Sequence, residues 1–207
     1  MTAFPPSNIA FKATRALIRS IVEDTLNGNR PGHLWSVQGF GMLRTYLDEA
    51  KVWRLNLWHS AMAVPDVSTI HDHPWDFTSL VVAGTFTNIR YRRTFDSDPG
   101  GLDYQHMRIK TGEGGGPAGY AETTRLVDYP AEVYRAGMIY RQHAEEVHES
   151  RYADGTITIN ERVRRPDPDH ANVFWRTGNW VDAEPRQATL HEIRLALVDA
   201  LVVIDAE

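Results

Sequence analysis

Two histidines one residue apart, in Ile70-His71-Asp72-His73-Pro74-Trp75-Asp76-Phe77, are the side chains best placed to do chemistry together. On a strand, residues two apart share a face and stand roughly 6.5 Å apart along the chain, so both imidazoles can turn toward one ion. Pro74 favours this, because the residue before a proline is held in the extended region. A third imidazole from elsewhere would complete a facial set with open coordination positions, as a reactive metal centre requires. His148 supplies it: Gly137 turns the chain, Met138–Gln142 forms a strand, a kink follows, and His148 lies on the next strand facing the same interior. His143, in the kink, is the rival third ligand. The bland alternative for the pair is two hydrogen-bonded core histidines. His33, His59, His106, His170 and His191 have no partner pattern, and surface or packing roles are their default.

Strand alternation turns Asp72 and Asp76 away from the ion, where either could orient a ligand imidazole by accepting its other N–H; for Asp76 the alternatives are a plain structural bond or weak direct ligation. Trp75 and Phe77 read as core or pocket wall. Tyr140 is a candidate cavity-lining residue, against the more common role of a half-buried packing tyrosine.

These side chains need a β framework to hold them. Between Gly41 and Val163 the chain reads as short runs rich in Val, Ile, Thr, Trp, Tyr and Phe, separated by Gly, Pro, Asn and Asp. The runs are Gly41–Leu47, Val52–Ala61, Thr69–His73, Thr78–Val82, Thr85–Arg92, Tyr104–Ile109, Thr124–Tyr129, Glu132–Arg135, Met138–Gln142, Val147–Tyr152 and Thr156–Val163. So many short strands imply an all-β sandwich or barrel. Apolar spacings of three and four predict a helix from Asn8 to Leu26, capped by Ser7 or Asn8 and stopped by Asn27-Gly28. Leu190, Ile193, Leu197 and Leu201 predict a second helix over 186–204, with Pro185 suited to its first turn. Thr111–Gly119 reads as a mobile loop. With no internal repeat and no linker, residues 1–207 form one domain in this reading.

Composition narrows the function. A chain of 207 residues, 42% hydrophobic and 24% charged, can fold on its own core, and it has no cysteine. Thiol nucleophiles, zinc ribbons, iron–sulfur clusters and redox pairs are therefore excluded. A net charge of −5 argues against a broad nucleic-acid footprint, and the clusters Arg90, Arg92, Arg93 and Arg162, Arg164, Arg165 are too short to change that. No signal-peptide pattern opens the chain, and the apolar run Leu195–Ile204 is about half the length of a membrane span. The expected protein is cytoplasmic, with no membrane or nucleic-acid partner; nothing specifies an interface, though the aromatic content is compatible with a homodimer.

The two histidine stretches resemble the motifs of the cupin superfamily. In the first, His71, His73 and Gly84 hold their places, while Phe77 occupies the usual glutamate position and Pro65 that of a leading glycine. In the second, Gly137 and His148 keep the spacing, with His143, Glu145 and Tyr152 replacing proline, glycine and asparagine. The likeness spans roughly Gly41 to Val163 and implies a double-stranded β-helix, the jelly-roll barrel, over 41–165 with flanking N- and C-terminal helices. Ile70-His71-Asp72-His73, together with Leu43-Arg44-Thr45-Tyr46-Leu47-Asp48-Glu49, further resembles the cysteine dioxygenase branch. That likeness implies Fe(II) on three histidines, no glutamate ligand, and Arg44 holding a substrate carboxylate. The branch's Ser-His-Tyr relay and its crosslinking cysteine have no counterpart here, which separates the chain from thiol dioxygenation itself. The resulting expectation is a non-heme Fe(II) dioxygenase-like enzyme acting on a small anionic substrate. The rivals are a Zn, Mn or Ni isomerase or hydrolase, and a non-catalytic small-molecule-binding barrel.

Overall fold

The computed structural model describes residues 8–29, 34–65, 67–94, 98–111, 116–164, 170–176 and 185–206. Helix α1 (Asn8–Leu26) is followed by β1 (Ser36–Gln38), β2 (Phe40–Tyr46), β3 (Trp53–Ala63), β4 (Ile70–His71), β5 (Trp75–Ala83) and β6 (Thr85–Thr94). Then come β7 (Leu102–Lys110), β8 (Gly116–Pro117), β9 (Glu122–Asp128), β10 (Glu132–Arg135), β11 (Ile139–Gln142) and β12 (Val147–Tyr152). The chain ends with β13 (Thr156–Arg164), β14 (His170–Trp175), β15 (Arg186–Gln187) and α2 (Leu190–Ala206). The protein is mostly β, in two antiparallel sheets with two helices. One sheet runs β11-β5-β13-β3-β2-β1-β15; the other runs β10-β6-β12-β4-β14-β7-β8, with β9 joining β6 and β7. No helix among the described residues is long and apolar enough to cross a membrane.

The first sheet is covered on both sides, which explains the near-continuous burial from Arg54 to His59 in β3. Leu55 and Leu57 face outward into a core shared with Leu43, Ile157 and Ile159. Ile18, Ile21 and Val22 of α1 and Ala196, Leu197, Ala200 and Ile204 of α2 close over that layer. The alternate residues of β3, Arg54 and Trp58, line a cavity whose far wall includes His148, Ser150 and Val173 of the second sheet. Alternation is thus intact, but both faces are inside.

Two glycines fix the frame near the site. Gly84 turns β5 into β6 at φ +81°, and a Cβ there would lie 2.6 Å from Thr156 Oγ1. Gly41 has φ +93° at the register shift between β2 and β3. A Cβ at Gly41 would collide with the Tyr152 hydroxyl, which donates to Phe40 O over 3.0 Å.

Several boundaries differ from those read in the sequence. The sheets extend beyond 41–165, since β14 pairs with β4 and β7, and β1 pairs with β15. Pro185 does not open the second helix. It precedes β15, and Thr189 caps α2 instead: Glu192 N donates to Thr189 Oγ1 at 3.2 Å and Thr189 N to Glu192 Oε2 at 2.8 Å, a reciprocal capping box. Helix α1 ends as expected, with Gly28 at φ +73° and Asn29 N bonded to Asp24 O. Within the expected loop, Gly116–Pro117 pairs with Ile109–Lys110, whereas 112–115 lie outside the described residues. Ser7, the Asn8 side chain and Arg165 also lie outside them.

Candidate metal centre

His71 and His148 face each other directly across the β4–β12 ladder. The chain then leaves the second sheet at Asp72–Pro74 and enters the first at Trp75, so His73 stands at the crossing between the sheets. The ligand nitrogens of His71, His73 and His148 lie within 4.8 Å of one another. His73 Nε2 and His148 Nε2 are 3.0 Å apart. Metal–nitrogen bonds of about 2.0–2.1 Å, meeting near a right angle, place two nitrogens about 2.9 Å apart.

The hydrogen-bond partners determine which nitrogen carries the lone pair. Glu146 O can only accept, so Gln142 Nε2 donates to it at 3.0 Å; Gln142 Oε1 then accepts from Asn88 Nδ2 at 3.0 Å. Asn88 Oδ1 is left to accept from His148 Nδ1–H at 2.7 Å. His71 Nδ1–H likewise donates to Thr69 O at 3.0 Å. Both rings therefore turn a bare Nε2 toward the cavity, the protonation state that metal ligation needs. His73 is steadied from its backbone, because Glu145 N donates to His73 O at 3.1 Å. To do so Glu145 adopts φ +63°, at the position where the sequence resemblance places a glycine. Trp75 stacks on the His73 ring at 5.7 Å, Phe77 meets it edge-on at 5.2 Å, and Phe40 stacks on His71 at 5.2 Å.

Burial keeps the three imidazoles neutral. It lowers His71 to about 4 and holds His73 and His148 well below 6.5, the neighbouring rings adding to the effect at His73 and His148. Among the described residues no carboxylate joins the three in the cluster, and Phe77, 4% exposed, packs beside His73 and His148. The donor set fits a divalent cation of borderline hardness, with coordination positions left open.

His143 is separate from the group: its side chain is 74% exposed, with Nδ1 3.8 Å from Asp76 Oδ1. The expected orienting carboxylates have other bonds. Asp72 accepts from Asn172 N and Nδ2, both at 2.6 Å, locking β14 to the ligand segment. Asp76 accepts from Ala144 N at 2.7 Å and braces the turn before His148. The acceptors on the His71 and His148 rings are Thr69 O and Asn88 Oδ1, while both aspartates are taken up by donors from other segments. Tyr140 lines the cavity, hydrogen-bonded to Ser79 and packed between Phe86 and Tyr134; burial raises its phenol, which stays protonated. Arg44 lines the cavity too, its Nη1 on Gln38 Oε1 at 3.1 Å and Nε on Ser36 Oγ at 3.2 Å.

Sequence reasoning missed Asn88, Thr69 and Arg54. Arg54 is 5% exposed, lines the same cavity, and its Nε has no hydrogen-bond partner among the described residues. The signal for it was the alternation Arg54, Asn56, Trp58 against Leu55, Leu57, which resembles an ordinary solvent face.

Asn88→Ala should weaken divalent-cation binding about 10- to 100-fold with the fold intact, because it removes the acceptor that orients His148. Competition with a chromogenic chelator measures this, and an unchanged affinity would show that Asn88 does not orient the ring.

The cavity measures about 190 Å³, below the roughly 300–1,000 Å³ of pockets for drug-sized ligands, so its occupant is small. No family model matches the chain, and no curated protein matches it.

Proposed function

We propose that the chain is a mononuclear cupin-type enzyme, a non-heme Fe(II) dioxygenase-like protein acting on a small anionic substrate. The observation that carries the reading is the trio His71, His73 and His148, its ligand nitrogens within 4.8 Å of one another, with the bare Nε2 of His71 and of His148 turned to the cavity and Phe77 beside them where a carboxylate ligand would stand. Three neutral imidazoles leave a divalent ion its full charge, which favours an anionic, chelating substrate. Bound Fe(II) would supply the electrons for dioxygen chemistry. The chain's own residues do the rest: Asn88 and Thr69 hold the ligand rings, and Phe40, Trp75 and Phe77 keep water from their faces. Arg44 receives the substrate's carboxylate, and the protonated Tyr140 offers a hydrogen bond to the bound molecule.

The all-imidazole ligand set favours one rival. Three histidines also hold zinc in hydrolytic sites, and Zn, Mn or Ni would act here as a Lewis acid for isomerisation or hydrolysis. Anaerobic reconstitution followed by elemental analysis and oxygen-uptake assays separates the two. The expected result is one iron per chain and uptake with an anionic chelating substrate. No uptake with any such substrate would remove the oxygenase reading, and zinc retained tightly in protein made without added metal would favour the Lewis-acid one.

A further inference from the structure

The cavity wall carries more positive charge than one carboxylate can answer. Among the described residues lining it, Arg44, Arg54 and Lys110 are the basic side chains besides the histidines, and Asp72 is the single carboxylate. Asp72 is already bonded to Asn172. Arg44 and Arg54 come from neighbouring strands, in register at Tyr46↔Arg54 and Arg44↔Asn56, and both point into the cavity. The groups acting most strongly on the Arg54 charge are Arg44, Tyr46, Arg162 and Tyr140, with no carboxylate among them. Burial, then the Arg44 charge, lowers Arg54 to about 9. Burial lowers Arg44 as well. Around Tyr46, Arg44, Arg162, Arg54 and Lys51 together outweigh burial and lower the phenol. Arg162 donates to Tyr46 Oη at 2.8 Å and lies 3.8 Å over the Trp75 ring, so it is engaged there rather than in the cavity.

Two desolvated guanidiniums side by side, one with a free Nε, are costly unless an anion accompanies them. Planar guanidinium forks suit phosphate and paired carboxylates, where two donors can be used at once. Resting on the metal-centre reading above, we propose that Arg44 and Arg54 form a second subsite for a doubly charged anionic group, so that the substrate carries a phosphate-like group or a pair of carboxylates at the end away from the metal. Arg54, absent from the sequence reading, then sets specificity by charge count, with Gln38 and Ser36 aligning Arg44 beside it.

The test is a charge ladder read by calorimetry on the full chain, with and without a divalent cation, at a pH where phosphonate is doubly ionised. The probes are butanoate, succinate, 3-phosphonopropanoate and propane-1,2,3-tricarboxylate, which place none, one, two and two charges at the distal end. Affinity should rise about tenfold per distal charge, a step of about 1.4 kcal/mol. The phosphonate and tricarboxylate arms tell which dianionic chemistry is preferred. Arg54→Met should flatten the ladder beyond its first step without changing cation stoichiometry, while Arg54→Lys keeps part of it. The ligand-free Arg54→Met protein should be at least as stable as the parent, because it loses a buried charge without a counterion. A structural arginine would show the opposite, a fall in stability with the ladder retained. A ladder that stops after one charge, or survives in Arg54→Met, overturns the proposal. Cation stoichiometry is read separately, so a chain that binds no cation yet shows the ladder would sink the metal reading and leave this subsite standing.

Discussion

Without bound metal, the protein should lose stability steeply as the pH falls from about 6.5 toward 4, ahead of general acid unfolding. In the unfolded chain His71, His73 and His148 protonate near 6.5. In the folded chain burial holds His71 to about 4 and the other two well below 6.5. The unfolded state therefore binds more protons across this window, so stability rises with pH. The contribution is complete above 6.5 and disappears as the pH descends through the window. For His71 alone, moving from 6.5 to about 4 corresponds to about 3 kcal/mol. The three rings interact, so their effects do not add simply. Glu192 offers an internal contrast: its bond to Arg186 lowers it to about 2, so its contribution is lost only below the usual carboxylate range. Urea midpoints across the window, in chelator and then with a divalent cation, measure the effect. The cation should shift the loss to lower pH by competing with protons for Nε2. A flat midpoint in chelator would mean that the rings are solvated and titrate as they do in the unfolded chain. His148→Ala should reduce the slope in chelator and remove the protection by cation.

What could be read in the sequence follows from how local each determinant is. His71, His73 and Gly84 depend on spacing within a single stretch, and Pro74 and the Gly84 turn speak for themselves. His148 needed the assumption that its strand lies beside β4, and it pairs directly with His71. Asn88 is 60 residues from His148, and a strand asparagine among Phe86, Ile89 and Tyr91 gives no sign that its amide ends a relay from Glu146. Thr69 acts through a carbonyl, which any residue could supply. Arg54 was hidden for a different reason: a polar–apolar alternation cannot say which side is water, and in β3 the apolar side meets the helices while the polar side meets the cavity. Strand β14 lies after 165–169, outside the described residues, and is fixed by Asp72 holding Asn172, a contact 100 residues long. Alternation indicates where a side chain points but not what waits there: Asp72 holds Asn172, and Asp76 makes its alternative, a plain structural bond, to Ala144 N.

Phe77→Glu is expected to convert the centre from one that depends little on metal for folding to one that depends on it strongly. Phe77 is 4% exposed, with its ring centroid 5.2 Å from that of His73 and 6.4 Å from that of His148. Losing a buried phenylalanine costs about 3–5 kcal/mol in packing, and a carboxylate placed there must be neutralised or paired. In chelator the variant should therefore be destabilised by several kcal/mol. With a divalent cation the carboxylate becomes a fourth ligand beside the three imidazoles, and ligand binding to the folded state alone stabilises it by mass action. The cation-induced rise in the denaturation midpoint should then exceed that of the parent protein at the same concentration. Anionic ligands should bind the metal-loaded variant more weakly, since one negative charge already offsets the ion and one open position is filled. Phe77→Leu controls for packing: it should lose part of the stability and gain no extra response to cation. If Phe77→Glu and Phe77→Leu respond alike to cation, position 77 does not face the coordination sphere, and the three histidines must hold their ion from another side.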